Sequence, residues 1–108
     1  MGGVFKIREY TEGGRSPFAE WFDDLDAVTA ARVDRYIRRL EAGNFGAAKP
    51  LRDGVSELRL DFGSGYRVYY GREGRIIIIL LGGGSKRRQD ADIAAAVERW
   101  KRYKQTKA

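Results

Sequence analysis

Three charged side chains at alternate positions, Glu57, Arg59 and Asp61, point from one face of a segment whose other face carries Leu58, Leu60 and Phe62. Shortly after, Arg67 and Tyr69 alternate with Tyr66, Val68 and Tyr70 in the same way. If the two segments pair as a hairpin with their polar faces together, Glu57, Arg59 and Arg67 form a carboxylate flanked by two guanidiniums. Such a set can grip an anion, because a guanidinium offers paired N–H donors to phosphate or carboxylate oxygens. The same residues also fit a surface ladder of ion pairs, each worth ~0–1 kcal/mol when exposed. A second concentration of charge, Lys86, Arg87 and Arg88, follows three glycines at 82–84. That tract lacks the second glycine and the adjacent Lys-Ser/Thr of a phosphate-binding P-loop. Read instead as a flexible segment after a strand, it lets the three cations gather near a helix N-terminus, which itself attracts anions. A solvated turn fits the same residues.

The absences narrow the chemistry. Among 108 residues there is no cysteine and no histidine, which excludes disulfides, thiolate nucleophiles, imidazole bases and the usual zinc ligand sets. Acid–base work must come from Asp, Glu, Lys, Arg or Tyr, and the natural use of this set is electrostatic stabilisation of an anion. Asp90 and Asp92 lie near a helix start, where capping is the simpler role, and no convergent acidic set suggests a metal. The net charge of +6 is unevenly spread. Residues 85–108 hold eight basic and three acidic side chains, whereas residues 1–84 hold thirteen and twelve. A local excess of this kind is the footprint expected for a polyphosphate partner, and a solvated basic helix has the same composition.

The elements that must position these groups are legible from periodicity. Residues 4–10 alternate as a short strand ended by Gly13 and Gly14. Ser16-Pro17 is a helix start, and Phe18, Trp21, Phe22 and Leu25 then share one helix face. A second helix is expected from about Asp26 to Gly43, with Val33, Tyr36, Ile37 and Leu40 inward and Arg38 four residues after Asp34. Residues 44–54 read as a loop through Gly46, Pro50 and the Asp53-Gly54 dipeptide. Two half-buried antiparallel strands follow, joined at residues 63–65. The unbroken apolar run 76–81 then reads as a strand buried on both faces. A last helix begins near Asp90 with Ile93, Val97 and Trp100 inward, and its final residues are expected to fray.

The expectation is one α+β domain over residues 1–108: an N-terminal strand, a helical hairpin, a three-stranded antiparallel meander and a C-terminal helix. No stretch approaches the ~20 apolar residues that cross a bilayer, and the N-terminus lacks the regions of a signal peptide, so a cytoplasmic location is expected.

Residues 57–70 (ELRLDFGSGYRVYY) and 80–93 (LLGGGSKRRQDADI) together resemble the RelE/ParE toxin superfamily. The likeness is to its HigB-like branch, which includes phage-derived Gp49-like and addiction module killer proteins. The combination of GYRVYY, a buried strand and K-x-x-Q-x-x-DI carries it. The resemblance implies a RelE-like fold with a positively charged surface that enters the ribosome and cuts messenger RNA. It further implies a neighbouring antitoxin, often of helix-turn-helix type, no cofactor and a metal-independent attack by the RNA 2′-hydroxyl. Carried over by position, it casts Arg59, Arg67 and Lys86 or Arg87 as the phosphate-stabilising cations. Glu57 is then the candidate base, with Arg88, Tyr69 and Arg52 as further RNA contacts. Glu57 stands where a well-studied branch has lysine, and Ile93 where several members have Tyr or His. A non-catalytic gyrase inhibitor on the same fold, as in the ParE branch, and a plain basic RNA-binding module are the alternatives.

Overall fold

Ser16 starts the first helix as its chemistry suggests: its backbone stays extended, its hydroxyl accepts from the Ala19 N–H at 3.0 Å, and Pro17 takes the first helical position. In the computed structural model, which describes residues 4–107, this helix is α1 (Pro17–Asp23). Asp26 then caps α2 (Ala27–Glu41), accepting from the Thr29 N–H at 3.1 Å and the Thr29 hydroxyl at 2.6 Å. Gly43 closes α2 at φ 89°. The remaining elements are β1 (Lys6–Glu9), β2 (Ala48–Arg52), β3 (Val55–Arg59), β4 (Arg67–Glu73), β5 (Ile77–Gly84), a 3₁₀ turn at Lys86–Arg88, and α3 (Gln89–Lys107).

The strands form one sheet in the order β1-β5-β4-β3-β2, in which β1 pairs parallel to β5 and every other pair is antiparallel. This is the expected α+β architecture with one addition. β2, inside the stretch read as a loop, is an edge strand hairpinned to β3 through Asp53 and Gly54, whose φ values of 55° and 85° are those a two-residue hairpin turn needs. Pro50 cannot donate to a ladder, and it is tolerated because β2 lies at the edge.

Both faces of the sheet are covered. Beneath α1 and α2, Phe18, Val33, Ile37 and Leu40 pack on Leu58, Val68, Tyr70, Ile78 and Leu80. Under α3, Ala96 and Trp100 pack on Val55, Tyr69, Ile79 and Leu81. β5 is thus buried on both sides as its unbroken apolar run implies. β4 is too, which corrects the half-buried reading: from Arg67 to Gly71 every residue is buried. α3 also stays helical to Lys107 rather than fraying.

The glycines at 82–84 are not a flexible segment either. They complete β5, and a Cβ on Gly83 would run into the Trp21 indole, one on Gly84 into the Asp92 carboxyl. Gly71 plays the same part in β4, where a Cβ would lie 2.6 Å from carbons of the Trp100 ring. Gly71→Ala should therefore destabilise the fold by ~1–3 kcal/mol through overpacking, read as a lower midpoint in urea denaturation.

Candidate nucleic-acid interface

The register of β3 and β4 puts Arg59 directly opposite Arg67 and Glu57 directly opposite Tyr69, so the four side chains share the face that α3 covers. Across β4, Arg67 stands opposite Gly84 of β5. The polar faces do meet, as the hairpin reading required. What the strand pattern did not reveal is depth: Arg59 is exposed, whereas the side chains of Arg67 and Glu57 are only 4% and 3% exposed.

Glu57 and Arg67 form a buried ion pair, with Arg67 Nε 3.5 Å from Glu57 Oε1. Arg67 Nη1 donates to the Gly65 carbonyl at 2.6 Å, and Gln89 Nε2 donates to Glu57 Oε1 at 3.3 Å. The lid over the pair is built from sequence-distant pieces. Gln89 opens α3, and the Lys86 N–H donates to the Ser64 carbonyl at 3.3 Å, pulling the 3₁₀ turn onto the β3–β4 connection. Two polar atoms inside have no hydrogen-bond partner among the described residues, Arg67 Nε and the Tyr69 hydroxyl. Burial is the main cause that pushes the Tyr69 hydroxyl up to about 12; the charges of Asp92 and Glu57 add to it and Arg67 opposes it. Burial likewise raises Asp92, against the pull of Arg88 and Arg99.

These positions revise several expectations. With its carboxylate enclosed and committed to Arg67 and Gln89, Glu57 does not reach a 2′-hydroxyl from this conformation. Arg67 is likewise a buried partner rather than an open clamp. Tyr69 is wholly buried beneath α3 and offers RNA no surface. Arg52 is exposed, but it sits at the opposite end of β3 from Arg59, beside Val55, and is paired with Asp53 at 3.6 Å. The set that remains open to solvent is Arg59, Lys86, Arg87 and Arg88. Arg59 and Gly84 are two strand spacings apart, ~10 Å, and Lys86 follows two residues later against the β3–β4 connection, so Arg59 and Lys86 flank the buried pair and Arg87 and Arg88 continue the turn beyond Lys86. Lys86, Arg87, Arg88 and Gln89, with Asp90 and Ala91, line a shallow cavity of about 400 Å³ along this turn. Asp90 and Asp92 fall in the first turn of α3, where negative charge complements the helix dipole. Among the described residues no group of three or more acidic side chains could hold a metal ion.

Gln89 is the residue beside the buried pair that strand reasoning missed. It belongs to the K-x-x-Q-x-x-DI motif, but its bond to Glu57 spans 32 positions and no local pattern encodes that contact.

The pair's energetics are testable. Glu57→Ala leaves a buried guanidinium without its counter-charge and should cost ~3–5 kcal/mol in chemical denaturation, with Glu57→Gln costing less. Tyr69 has a folded pKa raised from 10.0 to about 12, so below pH 10 its titration leaves stability untouched, and as pH rises from 10 toward 12 the fold loses stability because the unfolded chain ionises the hydroxyl first. Tyr69→Phe should flatten that alkaline fall, and at neutral pH should leave stability unchanged or higher because it removes an unpartnered buried hydroxyl. Denaturation midpoints across the alkaline range measure both effects.

Among the described residues no helix is long and apolar enough to cross a membrane. Residues 20–103 match the model of the family described as Phage derived protein Gp49-like (DUF891). An uncharacterized protein of Haemophilus influenzae is 45% identical over 80 residues, covering 73% of this chain and 81% of the relative. Both segments that carry the resemblance, 57–70 and 80–93, fall inside the family match. With its sheet, helical hairpin and C-terminal helix arranged as described, the chain belongs to the Gp49-like family, the addiction module killer branch of the RelE-like toxins, and a cognate antitoxin is implied.

Proposed function

We propose that this chain is the toxin of a type II toxin–antitoxin pair and that it acts in the cytoplasm as a ribosome-dependent messenger RNA endonuclease. The observation that carries the reading is the group of open cations, Arg59, Lys86, Arg87 and Arg88, set around a fold whose own charged pair is sealed. In the reaction, the RNA 2′-hydroxyl gives its proton to solvent water and its oxygen attacks the adjacent phosphorus, the bond to the 5′-oxygen breaks to leave a 2′,3′-cyclic phosphate, the 5′-oxygen takes a proton from solvent, and negative charge builds on the phosphoryl oxygens on the way. Arg59 supports that charge with paired N–H donors, and Lys86 or Arg87 stabilises the leaving 5′-oxygen. Arg88 holds the flanking backbone. Glu57 and Arg67 serve from below, as the buried pair that holds the β3–β4 turn and the start of α3 in place. No metal or cofactor is assigned a part.

The burial of Glu57 favours a second reading as well. With the candidate base enclosed, the same surface could bind without cutting, as a non-catalytic inhibitor of DNA gyrase. Induced expression followed by mapping of transcript ends separates the two. Ribosome-dependent cuts support the nuclease, whereas DNA damage with intact transcripts supports the gyrase inhibitor and rejects the nuclease. If the nuclease assignment is right, Arg59→Ala should slow cleavage about a hundred- to a thousandfold, corresponding to the ~2.7–4 kcal/mol lost with one oxyanion donor, while the protein still folds. Cleavage at the parental rate by that variant would remove Arg59 from the site.

A further inference from the structure

On the sheet face opposite the cations, a cleft of about 460 Å³ opens between α1, α2 and β1. Its floor is apolar: Ile7 and Phe22 are half-buried there, and the core residues Phe18 and Ile37 lie beneath them, with Phe18 and Phe22 stacked at 5.5 Å. Its rim is acidic: Glu9, Asp23, Asp34 and Glu41 stand against the single cation Arg38. Arg38 is already shared between Glu41, at 3.0 Å, and Asp34, at 3.5 Å. Glu9 and Asp23 are exposed and make no ion pair among the described residues. In a chain of net charge +6, this is a local reversal of sign around an apolar floor.

One wall of the cleft is an open sheet edge. β1 is the terminal strand, and its Lys6 and Tyr10 N–H groups donate to Ile76 and Leu80 of the β5 side. Strand alternation therefore turns the backbone groups of Ile7 and Glu9 outward, away from β5. An extended segment laid along this edge would find backbone partners, an apolar floor for alternate side chains and carboxylates for the others.

We propose that this cleft docks an extended, basic segment of the antitoxin, with apolar side chains on Ile7 and Phe22 and Lys or Arg against Glu9 and Asp23. The proposal rests on the toxin reading above and deepens it by naming the surface and the chemistry of its partner. Charge complementarity selects the occupant. An acidic segment would meet four carboxylates, and like charges across an interface are strongly disfavoured. Because α3 and the cations lie on the other face, docking here leaves Arg59 and Lys86 uncovered by this segment, so binding of the partner and contact with RNA draw on different residues.

The test uses the full chain and, as probe, the protein encoded by the adjacent reading frame, with affinity measured for the parent, for the double variant Glu9→Lys/Asp23→Lys, and for Lys86→Glu. Binding weakened at least about tenfold by the cleft variant alone, with a salt dependence that shrinks in that variant, supports the proposal. Binding of the cleft variant equal to the parent's overturns it and leaves the toxin reading standing. No binding by the parent overturns the toxin reading and the cleft proposal with it. Amide hydrogen exchange on the parental complex locates the contact without any variant that could misfold. New protection at Ile7, Glu9 and along α1 supports the cleft, and protection confined to residues 86–92 overturns it.

Discussion

The constraint from which the rest follows is that β4 and β5 are covered on both faces. A strand between two helical layers has no water to satisfy its polar side chains, so any charge it carries must find its counter-charge within the chain. Within the covered stretch of β4, residues 67–71, Arg67 is that charge, and Glu57, directly across from its neighbour Tyr69 in the ladder, is the answer. Gln89 and the Gly65 carbonyl complete the shell. The pair thereby ties together the β3–β4 turn, the central strand and the first residue of α3, three pieces far apart in sequence. The position of the surface cations depends on that tie, because Lys86–Arg88 lie between the strand end and the helix it anchors.

Close approach of the layers is achieved by pairing large rings with absent side chains. Trp100 lies against Gly71 from the α3 side and Trp21 against Gly83 from the α1 side. Each glycine lets an indole reach the backbone, which converts three-layer packing into close-packed contact rather than voids. The second consequence is electrostatic. The net charge of +6 conceals two unlike surfaces, a cationic rim at the β5–α3 junction and an acidic cleft beside β1. One sheet separates them, so a single small domain can present one face to a polyanion and another to a basic protein segment without either compromising the other.

Much of the architecture was legible in the chain itself because local chemistry agrees with the fold. Ser16-Pro17, Asp26 and Gly43 mark the ends of both hairpin helices, and the apolar run 76–81 announces a doubly covered strand. Where the reading failed, a non-local fact decided. Pro50 argued against a strand at 48–52, yet an edge position needs no donor there, and the Asp53-Gly54 turn was the available sign of the hairpin. The alternation of Arg67 and Tyr69 with apolar neighbours argued for a half-exposed strand, since charge and hydroxyl normally face water.

By itself, then, the sequence determined every strand and α-helix except the edge strand β2 and the end of β5, the chemistry that is excluded by lacking histidine and cysteine, and the family to which the strand and turn motifs point. Tertiary structure alone decided depth. Periodicity assigns a side chain to a face, but whether that face meets water or a helix depends on where a distant element comes to rest. For this chain α3 comes to rest over Glu57, Arg67 and Tyr69, and stops short of Arg59. Two arginines opposite each other in one ladder thus have different fates, one a structural ion and the other a free cation at the surface.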